Sequence, residues 1–534
     1  MRFFGRSDRA SREAGGLVRE TFRHTAVYSG AGILGRVIGF LMLPLYAHAL
    51  QDIGYGVIGM VEAGLAFLAS LLAYNFNSAV VRMYHEQEDP DRKPLVVSTS
   101  AFLIVGAAVP IAVLGAAVSK PAAGLLLGDA SYWNLICLAL GAFALGLLKV
   151  TLLSYLTVTR RSGTFSLLSL VQLFVGVGSN VLFIVILDWG LFGYFLSSLV
   201  TAIVMTILTL IVVGRHCPVT FDRAIAKDLV AFQLPLIPAA LTRFVSNQVE
   251  RVLVRFQIDL ASVGVLEMAY RFPVLISFLL IQPFQKSWGT KRMEIADQAG
   301  ARKHVGRMFS YFVYLVVFGF LLLAVNIESV LRLMTPPDFW GAALLAKVGA
   351  AEVVVKATMT HLSFGIVYAK RTDLAARAMI VTSIVKVGVS YAFISTWGLH
   401  GAAWAGLAIA LVYGLWSWRM GWSFYAFSVP WARVALTIAA ASALLVVDTQ
   451  LSRETVARWG GPFTDFVQAT VQGLENTPIG TWKDGKLVTA LVDRASAVFD
   501  LIVRTFVVSS YLLIMPLVHH ETGDRIKEIG RAHV

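Results

Sequence analysis

Residues 190–213 read GLFGYFLSSLVTAIVMTILTLIVV, a run of twenty-four residues without a charged side chain. A helix rises about 1.5 Å per residue, so about 20 apolar residues cross the hydrocarbon core of a bilayer. This run is therefore long enough to span a membrane as one helix. Such a segment decides the fold class, because the backbone groups of a chain inside a bilayer have to bond one another.

The composition extends this conclusion to the whole chain. Of the 534 residues, 57% are hydrophobic and 14% are charged, whereas soluble domains are about 45–50% apolar and about 25% charged. A soluble enzyme, a disordered protein and a fibrous repeat are therefore excluded. Two cysteines do not form a disulfide framework, and the sequence contains neither a zinc-type spacing nor a GxxxxGK[ST] phosphate loop. We expect no metal, no cofactor and no ATP-hydrolysing module.

Fourteen stretches satisfy the length and apolarity of a membrane span. They are residues 25–49, 55–81, 95–118, 132–157, 164–187, 190–213, 230–256, 263–285, 309–326, 340–368, 374–396, 400–424, 432–448 and 499–518. The intervening segments lack the alternating pattern of a membrane β-barrel. We predict an all-α, polytopic membrane protein with about 14 transmembrane helices.

The basic residues orient these spans. One set of loops, which includes both terminal tails (1–24 and 519–534), holds 28 of the 45 Lys and Arg residues, and the opposite set holds seven. Short cytoplasmic loops carry the excess of positive charge. We therefore place both termini in the cytoplasm. The net charge of +13 then follows mainly from topology, and we expect no nucleic-acid partner.

Two short motifs recur at one common offset along the chain. WGLFG at 189–193 matches WGLHG at 397–401, and YGVIGM at 55–60 faces VGVLEM at 263–268. Both matches lie in corresponding hairpins, which indicates an ancient repeat of six spans. Because six is even, the two copies enter from the same side as a parallel repeat, with substrate near the midplane between them.

This repeat predicts the organisation of the chain. A basic cytoplasmic tail precedes two six-helix lobes that are joined by a cytoplasmic linker, and two appended helices follow. The segments are the tail 1–24, the N-lobe 25–214, the linker 215–229, the C-lobe 230–425, the appended pair 426–518 with its periplasmic loop 449–498, and the tail 519–534.

Ten cations lie inside the predicted spans, and each costs about 2.5–3.5 kcal/mol at the bilayer centre on insertion scales. Arg255, Arg504 and Lys347 can reach a membrane interface, and Lys149 is borderline. The cations deep enough to need water, a partner or a ligand are Arg36, Arg243, Arg251, Arg271, Lys356 and Lys386. The corresponding deep acids are Glu62, Glu250, Glu267 and Glu352. The surplus of positive charge indicates an anionic passenger, and the planar fork of arginine suits a phosphate or pyrophosphate.

Ion pairing between helices is the alternative role for these charges. Glu250 could pair with Arg251 or another neighbour, and Glu352 with Lys356 one turn away. Glu62 and Glu352 are candidates for ion coupling, since apolar surroundings raise the pKa of a carboxyl group. A hydrogen bond that only locks helices together is an equally good reading of Glu62.

The segments Leu34-Gly-Arg-Val-Ile-Gly-Phe…Pro44-Leu-Tyr46 and Gly54-Tyr-Gly-Val-Ile-Gly59, together with the 6+6 repeat, resemble the polysaccharide transporters of the MATE-like MOP flippase superfamily. The resemblance covers residues 25 to about 425. It implies two six-helix lobes around a cationic cavity, and a passenger that is an undecaprenyl-pyrophosphate-linked oligosaccharide. The superfamily also contains lipid II flippases and multidrug extruders. The appended pair matches its fourteen-span members.

We therefore expect a flippase of the bacterial inner membrane that works by alternating access and serves O-antigen or exopolysaccharide export. Its partners would be the lipid-linked saccharide, membrane lipid and a polysaccharide polymerase or assembly protein, and we expect a monomer. A lipid II flippase or a multidrug extruder is the alternative within the fold, although cationic drugs favour an acidic lumen. A membrane polymerase or glycosyltransferase is the rival class. It fits less well, because residues 449–498 contain no histidine and the repeat has no role in such an enzyme.

Overall fold

A computed structural model of the chain describes residues 35, 37–72, 76–450, 461–462, 465 and 486–513. All regular secondary structure in these ranges is helical, as predicted. The α-helices are α1 (Leu43–Leu71), α2 (Phe76–Glu86), α3 (Lys93–Ala117), α4 (Ser119–Leu127), α5 (Trp133–Val158), α6 (Ser162–Asn180), α7 (Gly190–Gly214), α8 (Arg223–Gln233), α9 (Ile237–Gln257), α10 (Leu260–Ile276), α11 (Gln282–Ile295), α12 (Ala301–Met334), α13 (Ala342–Leu362), α14 (Phe364–Tyr368), α15 (Thr372–Trp397), α16 (Leu399–Phe424), α17 (Trp431–Gln450) and α18 (Lys486–Ser509). The protein is a multi-pass helical membrane protein.

Eleven helical segments among the described residues are long and apolar enough to cross a membrane. The predicted spans 25–49, 340–368 and 499–518 are not among these eleven. The first lies largely outside the described residues, and the last extends beyond them. Span 340–368 contains the helix α13, which carries the charges of Lys347, Glu352 and Lys356. The predicted count of fourteen is therefore approximate.

The described residues form two compact units. The first holds the residues up to Leu50 and Val57–Gln248, and the second holds Gln51–Gly56 and the residues from Val249 onward. In the first unit α5 packs against α3 and α7, and α6 packs against α7. Leu152 of α5 and Met205 of α7 belong to its apolar core. The predicted lobe boundaries stay predictions.

In the second unit the long helix α12 lies at the centre of the packing. Helix α13 packs against α10, α12 and α16, and α15 packs against α16. Helices α17 and α18, which belong to the appended pair, pack against α12. The Tyr314 hydroxyl on α12 donates a 2.8 Å hydrogen bond to the carbonyl of Tyr511, just after α18. The appended helices are therefore part of this unit's core.

The same helix-ending turn occurs twice. It follows the fourth predicted span of each copy of the repeat, after α5 in the first copy and after α14 in the second. Arg160 and Lys370 have φ angles of 55° and 56°. In each copy the next amide, that of Arg161 or Arg371, donates at 2.9 Å to the carbonyl five residues earlier. This is the Schellman type of helix ending, whose left-handed position is usually taken by glycine. Two non-glycine residues in this rare conformation, each just before the start of the next long helix (α6 or α15), confirm the predicted repeat.

Two glycines make a reciprocal backbone contact in the second unit. A Cβ on Gly56 would lie 1.9 Å from the carbonyl oxygen of Leu260, and one on Gly264 would lie 1.9 Å from that of Asp52. The two glycines are related by the offset of the sequence repeat, and so are the two residues whose carbonyls they face. We call this the paired-glycine contact. It requires the absence of a side chain at both positions.

Several predicted loops are helical or shorter than expected. The segment 82–94 contains part of α2, and α11 begins within a predicted span and runs into the loop 286–308. The stretch 50–54, between the first two predicted spans, is a break at Gln51, which has φ 56° and ψ −173° between two helical stretches. Apolarity over about 20 residues detects spans only, so these shorter amphipathic helices were missed.

Asp222 caps α8 and lies just before the apolar segment 223–257, outside the candidate membrane spans. Its carboxylate accepts hydrogen bonds from the amides of Ala224 and Ile225, and a 2.5 Å ion pair joins it to Arg92. The hydrogen bond from Arg92, and then those from the backbone, hold the pKa of Asp222 below its ordinary value of 3.8. A carboxyl group with a lowered pKa stabilises the fold above its unfolded pKa, and this stability is lost as pH falls through the folded pKa.

We therefore expect the purified protein to unfold at a higher temperature than Asp222→Asn at pH 7. The asparagine retains a capping oxygen but loses the charge, so the difference reports the ionised carboxylate. The difference should shrink as pH falls below about 4, where the unfolded carboxyl is protonated. Thermal unfolding between pH 7 and pH 3 measures it. An equal difference at both ends of this range would contradict the assignment.

Candidate functional site

Arg243 lies on α9 and lines a cavity of about 310 Å³ in the first unit. Asn247 lines the same cavity, because residues four apart share a helix face. Arg243 is exposed, and among the described residues its guanidinium has no ion pair or hydrogen bond. The lining contains no carboxylate among the described residues. The cavity thus presents the guanidinium of Arg243 beside the amide of Asn247. No described carboxylate in the lining neutralises the positive charge of this guanidinium.

The remaining walls of this cavity are mostly small and apolar. Ala66 and Ala69 come from α1, and Ala239 comes from α9. The rings of Phe67 and Phe244 meet edge to face at 5.4 Å and join the two helices beside it. Small side chains leave room next to the guanidinium. This arrangement can bind an oxyanion through the arginine fork.

Lys386 and Glu250 form a buried ion pair in the second unit. Nζ of Lys386 lies 2.6 Å from Oε1 of Glu250, and their side chains are 5% and 3% exposed. Glu250 therefore pairs with a residue on α15, while its sequence neighbour Arg251 turns to another partner. Adjacent residues on a helix point about 100° apart, which separates their partners.

Two further ion pairs lie in the same unit. Arg251 pairs with Glu267 of α10, and its guanidinium carbon lies 5.4 Å from the ring centroid of Tyr270. Lys356 pairs with Glu352 one turn away on α13, as the pairing alternative expects. Three of the predicted substrate cations thus have a carboxylate partner. A role for these cations in binding substrate stays a prediction.

Arg271 lies on α10 beside an aromatic wall. Its guanidinium carbon is 4.9 Å from the ring centroid of Tyr55, a fully buried side chain that packs against Phe339. A cation over a ring face is attracted by the ring quadrupole. Arg36, another of the predicted deep cations, lies outside the described residues.

Glu62, the first candidate for ion coupling, lines a second cavity of about 700 Å³ in the first unit. Lys149 lines this cavity too, although the sequence left it as a borderline case. Gln172 and Asn180 of α6 join them. These two amides stand roughly two helical turns apart in an apolar span and therefore on one side of the helix. That spacing was the signal that could have found this cavity. Glu352, the second coupling candidate, is held by Lys356.

Among the described residues no group of three His, Cys, Asp or Glu side chains is arranged to hold a metal ion. The described chemistry is instead that of cations, amides and hydroxyls within helices. Such groups can bind a polar or anionic molecule.

A family model described as "Polysaccharide biosynthesis protein" matches residues 21–288. No curated protein matches the chain. A solved structure of the lipid II flippase MurJ, in an inward closed conformation, is similar with a TM-score of 0.67 and 14% identity. The similarity covers 93% of this chain and 99% of that one. At this identity the likeness describes the fold.

Two other solved structures are similar over a smaller part of the chain. An inward-facing multidrug resistance MATE transporter of the MOP superfamily has a TM-score of 0.49 and 16% identity, over 74% of this chain and 95% of that one. A MOP superfamily transporter from Pyrococcus furiosus has a TM-score of 0.48 and 15% identity, over 78% and 95%. These scores are too low to carry an argument about function.

Proposed function

The chain belongs to the polysaccharide biosynthesis protein family, and from that membership we propose that it is a flippase for a lipid-linked oligosaccharide. Family and fold are those of membrane transporters and not of catalytic enzymes. The proposed passenger is an undecaprenyl-pyrophosphate-linked repeat unit, which moves from the inner to the outer leaflet of the bacterial inner membrane. The product serves surface polysaccharide export, such as O-antigen or exopolysaccharide.

Among the structural observations, the cavity of Arg243 carries the assignment of an anionic passenger. It holds an exposed guanidinium beside Asn247, and no carboxylate of the described chain lines it. A cation within a membrane span is expensive unless it has a function. Arginine binds two oxygens of a phosphate at once, and the neighbouring amide can donate a further hydrogen bond. We assign the pyrophosphate of the passenger to this cavity.

The other predicted cations differ in whether a carboxylate holds them. Arg36 and Arg271 stay candidates for binding an anionic group, each within its own part of the chain. Arg251, Lys356 and Lys386 are held by carboxylates, so they would reach a substrate only in a state that opens those pairs. Alternating access would expose the passenger to one leaflet and then to the other.

The remaining parts of the proposal concern energy and surroundings. Glu62 is our candidate for coupling to an ion gradient, with Glu352 as the second. We propose that both termini lie in the cytoplasm and that the protein acts as a monomer. A polysaccharide polymerase would receive the flipped product.

Arg243→Ala is expected to reduce surface polysaccharide about tenfold or more in a deletion strain that carries the variant gene. The reason is that one charged hydrogen bond contributes about 1.5–3 kcal/mol. Arg243→Lys should restore part of the loss, because lysine keeps the charge but not the fork. Polysaccharide is measured per unit of membrane-inserted protein, with the exposed linker variant Arg223→Ala as the control. Normal polysaccharide in Arg243→Ala would overturn the phosphate site.

Lipid II is the second candidate passenger, favoured by the similarity to the fold of MurJ. The two candidates differ in what accumulates when the protein is removed. A deletion strain that accumulates a lipid-linked oligosaccharide while peptidoglycan synthesis continues supports the polysaccharide passenger. Accumulation of lipid II would replace it with the alternative.

A further inference from the structure

The cavity of about 700 Å³ in the first unit is separate from the Arg243 cavity and has a different lining. Helices α1, α5, α6 and α7 all contribute residues to it. Its size lies within the range of about 300–1,000 Å³ that small-molecule sites occupy. We call it the Lys149 cavity. Lys149 lies within a membrane span, where an ionisable side chain is costly unless it has a partner, water or a ligand.

Lys149 is held by an amide instead of a carboxylate among the described residues. Nζ of Lys149 donates a 3.0 Å hydrogen bond to Oε1 of Gln172. Glu62 lines the same cavity, but among the described residues it makes no ion pair with Lys149. A neutral amide orients the ammonium without neutralising it, and two of its three N–H donors remain for a ligand. The positive charge is therefore available to an anionic group.

The amide of Asn180 adds an acceptor to the same wall. Its Nδ2 donates to the Gly176 carbonyl at 2.8 Å, whereas its Oδ1 is buried and has no hydrogen-bond partner among the described residues. A buried acceptor without a donor costs free energy that a ligand hydroxyl can recover. Ser198 and Thr201 line the same cavity.

Two tyrosines supply an aromatic wall. The rings of Tyr46 and Tyr194 stand edge to face, with centroids 6.0 Å apart, and both residues line the cavity. A sugar ring has a face of C–H groups that packs on an aromatic ring and a rim of hydroxyl groups that needs donors and acceptors. Tyrosine is suited to such a site because it combines an apolar ring with a polar hydroxyl.

From the cation, the orphaned acceptor and the aromatic wall, we infer that the Lys149 cavity is a subsite for an anionic sugar residue of the passenger. Lys149 binds the carboxylate or phosphate substituent, and Gln172 positions Lys149. Asn180 accepts a hydroxyl hydrogen bond, and the tyrosines contact the ring. The inference rests on the proposed function and adds a preference for acidic repeat units to it.

The test measures ligand-dependent thermal stabilisation of the full-length protein in lipid nanodiscs. The probes are methyl glucuronide, methyl glucoside and inorganic pyrophosphate. The expected result is that the wild-type protein binds the glucuronide in preference to the glucoside. In Lys149→Gln the half-saturating glucuronide concentration should rise about tenfold or more, since a charged hydrogen bond is lost. Lys120→Gln, a change of an exposed lysine on α4 of the same unit, should bind as the wild type does.

The outcomes separate this inference from the proposed function. No preference for glucuronide in the wild-type protein, or an equal preference in Lys149→Gln, overturns the subsite even if Arg243→Ala loses transport. Pyrophosphate binding that is lost in Lys149→Gln, without any response to glucuronide, also overturns it and makes this cavity a phosphate site. Glucuronide binding that persists in Arg243→Ala while surface polysaccharide stays normal supports the subsite and overturns the phosphate role of Arg243.

Discussion

Glu250→Ala is expected to lower the free energy of unfolding by about 3–5 kcal/mol, because it removes the carboxylate from a buried ion pair. The partner is the ammonium of Lys386, which lies 2.6 Å from the carboxylate with its side chain 5% exposed. The Lys386 side chain is too deeply buried for a small rotation to bring its ammonium group into contact with water. Breaking one partner therefore leaves a charge in an apolar interior, and this penalty dominates the effect.

The double variant Glu250→Leu with Lys386→Met separates pairing from packing. Replacing both charges by apolar groups of similar volume is often neutral or stabilising, so the double variant should recover most of the lost stability. Denaturant-induced unfolding in mixed micelles measures both. Glu294→Ala serves as the control, since the pair of Glu294 with Lys291 is solvent-exposed and such pairs contribute about 0–1 kcal/mol. A double variant as unstable as the single one would refute the assignment.

Gly264→Ala and Gly56→Ala are each expected to destabilise the second unit by about 3 kcal/mol or more. The added Cβ would stand 1.9 Å from a backbone carbonyl oxygen in either variant. Overpacking against side chains costs about 1–3 kcal/mol, and a backbone oxygen cannot rotate away as a side chain can. The segments that carry the paired-glycine contact therefore have to separate. Denaturant-induced unfolding of each variant beside the wild-type protein measures the loss.

The control variant for this prediction is expected to keep or increase the stability of the protein instead of lowering it. Gly64 lies in α1, and a Cβ there would have no neighbour within 4 Å. Gly64→Ala should leave stability unchanged or raise it by about 0.5–1 kcal/mol, as alanine does in helix interiors. Because either glycine variant already separates the segments, the double variant should cost less than the sum of the two. Additive losses, or a loss equal to that of Gly64→Ala, would contradict the reciprocal geometry.

Local and periodic features of the fold could be predicted from the sequence. Apolar runs such as 190–213 predicted the helices, and the recurrence of WGLFG as WGLHG predicted the repeat, which the turns at Arg160 and Lys370 confirm. The short amphipathic helices α2 and α8 were not predicted, because each has 11 residues and is shorter than a membrane span. Length and apolarity are properties of a segment alone, so they need no knowledge of its neighbours.

The partners of the charged residues could not be predicted in the same way. Glu250 on α9 pairs with Lys386 on the distant helix α15, and Lys149 on α5 bonds Gln172 on α6. Only the packing of helices decides such pairs. The one pair that was predicted correctly, Lys356 with Glu352, lies within a single turn of α13. Which of these charges meet the passenger stays a prediction until the variants are measured.

The paired-glycine contact has the form of an isologous interface, the kind that two identical copies of a chain form with each other. In such an interface residue i of one copy meets residue j of the other, and j meets i. Gly56 faces Leu260 and Gly264 faces Asp52 at the common offset of the repeat, which satisfies this relation within one chain. Two separate chains of six spans that dimerise about a twofold axis would make this same contact. In this chain both halves of the symmetric contact belong to one polypeptide, so a side chain gained at either glycine disturbs it.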